Sequence, residues 1–211
     1  VSNYASIELV ENTVAAHVVE QLITGLSESS SSFIADVTKA RVAYDALTAT
    51  QQSLVSNYAA LTVAEQRVAE IAQNEAEITN VIQLIAKVND TAATFQTDLS
   101  IAEAAFYALT DEQKAQVTNA NDFTTHNAML VSYQIVATNI ESQITSIDTA
   151  SLTFIDDVTA VQTSLSAFNE AQLSLITSAT KSLLQTYVDE IAQQQVADDR
   201  KVAQEVIEEI A

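Results

Sequence analysis

Few residues in this chain could do chemistry, and they stand apart. His17 and His126 are its only histidines. No His-x-x-x-His pair and no HExxH segment occurs, so zinc held by two imidazoles on one helix face is not expected. Each histidine reads as a surface or boundary residue. The chain has no cysteine, which removes disulfides and thiolate ligation. Its single glycine, Gly25, cannot build a G-x-G-x-x-G turn, a P-loop or a G-x-S-x-G elbow. Nothing in the spacing of serines supports a Ser-His-Asp triad.

The carboxylates are more numerous. Asp156-Asp157, Asp198-Asp199 and Glu208-Glu209 are adjacent pairs, and Glu65, Glu70, Glu75 and Glu77 share one stretch. Neighbours on a helix diverge by about 100°, so adjacent pairs chelate poorly. Calcium takes about six to eight oxygens, and no EF-hand spacing is present. The favoured reading is a solvated acidic face. Metal binding stays unassigned, with weak or intermolecular calcium as the alternative, because a crowded acidic lattice would need counterions. Glu208, Glu209 and the nearby aspartates would need a cleft to work as paired acid and base, and the pattern supplies none. The expectation is therefore no catalytic residue, no cofactor and no enzyme.

Phe33, Tyr44, Phe95, Phe106, Phe154 and Phe168 fall on one apolar stripe and read as core. Tyr4, Tyr58, Tyr133 and Tyr187 lie off it, with Tyr58 a candidate surface contact. Asn89-Asp90-Thr91 is an N-x-T sequon, to which no function is attached.

The elements that carry these residues follow from composition. The 211 residues hold 8 Lys+Arg against 28 Asp+Glu, a net charge of -20. That balance argues against nucleic acid and against anionic membrane surfaces. With one Gly and no Pro, the tight turns of a sandwich or barrel cannot be made. A 48% hydrophobic content argues equally against disorder. The remaining class is all-α. No apolar run of about 18 residues is available to span a bilayer. The chain opens on Val1 and its only methionine is Met129, so it reads as a piece of something longer.

Self-similarity organises the rest. VSNYA occurs at 1–5 and again at 55–59. FIADVTKARVAYDALTATQQSLVSNY (33–58) aligns without gaps with FQTDLSIAEAAFYALTDEQKAQVTNA (95–120), an offset of 62, and with FIDDVTAVQTSLSAFNEAQLSLITSA (154–179), a further 59. Phe33, Val37, Ala40, Tyr44 and Leu47 form a helical stripe, matched by Phe95, Leu99, Ala102, Phe106 and Leu109. Phe154, Val158, Val161, Leu165 and Phe168 complete the set. Each stripe ends at a capping signal: Thr48-x-x-Gln51, Thr110-x-x-Gln113 and Asn169-x-x-Gln172. A short second helix follows. Thr62-x-x-Glu65 reads as the cap of a long third helix, and Thr124 or Thr125 takes that place in the second copy. In the third copy that box is missing, so the helix after Asn169 either runs on or breaks near Thr180. Ser27 to Ser32 is the clearest loop, and Gly25 before it sits where a helix end favours a left-handed residue. The junctions at Asn89–Thr91 and Asp148-Thr149 read equally as turns or as fused helices.

The expected architecture is an elongated array of tandem three-helix bundles, each long-short-long. Its segments are 1–26 (the last helix of a preceding repeat), 27–89, 90–148, and 149–211 with a long final helix.

ARVAYDALTATQQSLVSNY (40–58) and YALTDEQKAQVTN (107–119) resemble the helical repeats of large Gram-positive cell-surface and S-layer-type proteins. FNEAQLSLITSA (168–179) is a degenerate third copy. The resemblance implies an extracellular spacer segment on the bacterial surface that self-associates in an assembly and contacts cell-wall polymer through other parts of its parent. It supplies no catalytic residue. The alternative it leaves is a wall-glycan- or protein-binding module of an adhesin.

Overall fold

The stripes place ten α-helices, and no strand, among the residues described by this computed structural model, 2–210. Apart from Tyr4, the side chains of the first VSNYA copy lie outside what is described, as does Ala211. In order the helices are α1 (Ser2–Thr24), α2 (Phe33–Asp45), α3 (Ala49–Gln52), α4 (Tyr58–Lys87) and α5 (Phe95–Ala108). Then follow α6 (Asp111–Lys114), α7 (Asp122–Thr145), α8 (Phe154–Ser166), α9 (Glu170–Leu175) and α10 (Ser178–Ile210). None is long and apolar enough to cross a membrane.

All three capping boxes before the short helices form. The side chains of Thr48, Thr110 and Asn169 accept from the backbone N–H of Gln51, Gln113 and Gln172, and each glutamine reaches back. Two orphan amides are satisfied at each start, which lets helices of four to six residues exist at all.

The starts of the long helices differ from the sequence expectation. Thr62 lies inside α4, its hydroxyl donating to the Tyr58 carbonyl one turn back, so Thr62-x-x-Glu65 is no cap. α7 begins at Asp122, ahead of Thr124 and Thr125, and Asn121 makes no side-chain cap. In the third copy the chain does break, at Ile176 and Thr177, where Thr177 Oγ1 accepts from the Thr180 amide. Gly25 does not adopt positive φ. Its amide instead continues the α1 pattern to the Gln21 carbonyl, so the left-handed cap is not used.

The junctions are turns, not fused helices: residues 25–32, 88–94 and 146–153 are all non-helical. Asn89 Oδ1 accepts from the Thr91 amide and hydroxyl, and Asp148 Oδ1 from the Ala150 amide. Short polar side chains thus hold the chain in turns that elsewhere rely on Gly or Pro.

The chain divides into two compact units, Val1–Glu77 and Ile78–Ala211, with the boundary inside α4. In the first unit one core joins Ala16, Val19 and Ile23 of α1, Phe33, Val37 and Ala40 of α2, and Leu61 and Ala64 of α4. The second unit holds two cores. One joins Ile78, Val81 and Ile85 to Phe95, Leu99 and Ala102, with Leu130 and Tyr133 of α7 against them. The other joins Ala137, Ile140 and Ile144 to Phe154, Val158 and Val161, with Tyr187 of α10. The sequence segmentation at 89/90 and 148/149 falls in loops, whereas these cores straddle it. α7 gives its first half to one core and its second half to the next. α9 ties the two together: Ala171 is buried in the first of them, and its amide donates to the Thr91 carbonyl.

Candidate functional site

The polar groups nearest to a built site lie where one helix approaches the start of another. Glu20 on α1 accepts at Oε1 from the Ser56 amide at 2.8 Å and from the Ser56 hydroxyl. The Asn57 amide nitrogen donates to the Glu20 carbonyl at 3.0 Å and to Thr24 Oγ1 at 3.2 Å. His17 Nδ1 stands 3.5 Å from Glu20 Oε2, and its Nε2 meets the Gln21 amide. His17, Gly25 and these neighbours line an open groove of about 630 Å³.

The arrangement brings together a serine, a carboxylate and a histidine, but in the wrong order for acyl transfer. A triad needs the imidazole between hydroxyl and carboxylate, so that it takes the proton from the nucleophile. Here the carboxylate sits in the middle. Its work is to satisfy the amide that opens onto α4, and the hydrogen bonds from the Ser56 hydroxyl and amide lower the Glu20 pKa. The same device recurs at Glu141, whose Oε1 accepts from the Thr177 amide at 2.7 Å ahead of α10, again lowering its pKa. At the intervening position stands Ile82, and only the amide-to-carbonyl bond from Asn119 persists there, at 3.1 Å.

A second polar clasp crosses between helices. The Arg41 guanidinium grips the Glu65 carboxylate with both Nε and Nη2 and reaches Asp45 Oδ1 at 3.4 Å. The hydrogen bond from Arg41 holds the Glu65 carboxyl below its ordinary value, and Glu65 in turn raises the Arg41 pKa. Tyr44 and Tyr58 stack at 4.4 Å, with the guanidinium 5.5 and 5.4 Å from the two ring centres. Tyr58 is thus 38% exposed yet engaged by its own chain. In the next core the clasp becomes Asn127 donating to Glu103 at 2.6 Å.

The other sequence candidates disperse. Among the described residues no three His, Asp or Glu side chains gather in a metal-holding group. Glu70 pairs with Arg67 at 3.0 Å. Asp157 accepts from Thr153 at 2.8 Å, while Asp198, Asp199, Glu208 and Glu209 lie exposed on α10. His126 sits edge-on to Phe95 at 6.0 Å. Tyr133 bonds to Asn169, Tyr187 is buried against Phe154, and Tyr4 is exposed. Sequence reading missed Glu20, Glu141 and the Arg41–Glu65 clasp. Aligning the copies by column was the available signal for Glu20 and Glu141, which the 62- and 59-residue offsets relate through Ile82, whereas the Arg41 and Glu65 columns change residue type in every copy.

No protein-family model, curated protein or solved structure matches this chain.

Proposed function

We propose that the chain is a tandem array of three-helix repeats from a bacterial cell-surface or S-layer-type protein, non-enzymatic, extracellular, and working as spacer and assembly contact. The observation that carries the reading is recurrence. Aliphatic triads, aromatic-led helices and capped short helices return at the same 62- and 59-residue offsets. The most developed polar group, around Glu20 and Ser56, is used to hold the chain just ahead of α4. Repeats that close their cores locally extend by addition, which suits display and spacing.

Small-angle scattering on the purified chain, with and without calcium, tests this. An elongated particle is expected. A calcium-driven rise in mass would assign the acidic faces to bridging between chains. A compact globule in both conditions would overturn the array.

A further inference from the structure

One side of α1 repeats a face that α4 puts to use. On α4, Tyr58 is followed by Leu61, Ala64, Glu65 and Val68, three, six, seven and ten positions on. On α1, Tyr4 is followed at the same intervals by Ile7, Val10, Glu11 and Val14. No other tyrosine of the chain heads such a set. The match opens on the shared VSNYA and ends at Ala15, where α1 begins the triad that it gives to its own core.

On α4 the set is covered. Leu61 and Ala64 are buried in the first unit's core with Val19, Phe33 and Val37, and Val68 packs against it. Arg41 of α2 holds Glu65, and Tyr44 of α2 stacks on Tyr58. On α1 the set is open. Tyr4 is 82%, Ile7 55% and Val10 61% exposed, and Glu11 and Val14 are exposed beside them. Ile7, Val10 and Val14 each precede Ala16, Val19 and Ile23 by nine residues, about 900° of helix, so the two sets stand on opposite sides of α1.

We propose that this side of α1 is a docking face, and that its occupant is a bundle end of the α1–α2–α3 make, supplied by another repeat of this kind. Its mark is a phenylalanine-led helix with arginine eight positions on and tyrosine three beyond, as Phe33, Arg41 and Tyr44 stand on α2. The proposal rests on the tandem-repeat reading. Aliphatics alone specify only a packed helix. Glu11 and Tyr4 specify more, because they stand where α4 presents a carboxylate to a guanidinium and a ring to a ring. α5 and α8 carry Glu103 and Gln162 at the Arg41 position, so helices of their make fit less well. With its two sides opposed, α1 can serve two bundles, as α7 serves two cores in succession.

The test places a second copy of residues 1–54 directly ahead of Val1 in the full chain, so that the join repeats Leu54–Val55 and the VSNYA that follows. Amide exchange across 4–14 of the original α1 is expected to slow by at least about tenfold, and the added segment to be protected. Ile7→Asp with Val10→Asp in the original α1 is expected to abolish both effects while the three existing cores keep their protection. Glu11→Arg there is expected to speed exchange across 4–14, and Arg41→Glu in the added copy to reverse that. An added segment that exchanges like unfolded chain overturns the proposal, as does one that stays protected in the double Asp variant. A charge swap that recovers no protection overturns the arginine-bearing occupant. A dimer of the unextended chain with 4–14 protected overturns it too, by making a second copy the occupant. An unfolded added segment on a chain whose unextended form scatters as an elongated particle would sink only this docking, not the array.

Discussion

Glu20, Glu65 and Glu141 do similar work at residue scale: each carboxylate joins two helices through hydrogen bonds to its charged form. All three have pKa values lowered from the ordinary 4.5. A depressed folded-state value means the unfolded chain binds the proton first. Their stabilisation is fully present above about pH 4.5 and is lost as pH falls through the lowered values. Replacing all three with Gln should lower stability at pH 7 and leave it nearly unchanged at strongly acid pH. Urea unfolding from pH 7 to pH 3 checks this, the two stability curves being expected to converge. Parallel curves would show that these carboxylates are not the linked groups.

At the scale of elements, two kinds of helix start coexist. The short helices cap themselves, through Thr48, Thr110 and Asn169. Two long helices have the chain just ahead of them held by a carboxylate from elsewhere, Glu20 ahead of α4 and Glu141 ahead of α10. Thr110→Ala should therefore cost about 1 kcal/mol. Thr62→Ala and Thr124→Ala, at positions that the sequence also offers as caps, should each stay within about 0.5 kcal/mol of the parent. Chemical denaturation of the three variants separates the assignments. The capping boxes were legible because donor and acceptor lie three residues apart. Glu20 and Ser56 are 36 residues apart, and no local pattern connects them.

For the whole molecule, each core is closed by segments of at least three helices rather than by one sequence repeat. Phe33→Ala should cost about 3–5 kcal/mol. Amide exchange should then accelerate through residues 16–71. Phe95→Ala should act by a similar amount between residues 78 and 133. If either substitution loosened all three cores equally, the stability would be global rather than carried repeat by repeat. The two substitutions are best compared at the same salt concentration, since a net charge of -20 makes self-repulsion depend on screening.

The all-helical class, the apolar stripes and the short-helix caps were determined by sequence alone. Gly and Pro were too scarce for β-turns, Phe33, Val37 and Ala40 recur at helical spacing, and a capping box is complete within four residues. Only the tertiary structure decided which helices share a core. The stripe on α7 is continuous, and where it passes from Tyr133 in one core to Ala137 in the next depends on which neighbours pack against it. It likewise decided that Gly25 keeps ordinary φ and that Glu20 holds the chain just ahead of α4. Those outcomes depend on distances between segments, which the linear order of residues does not contain.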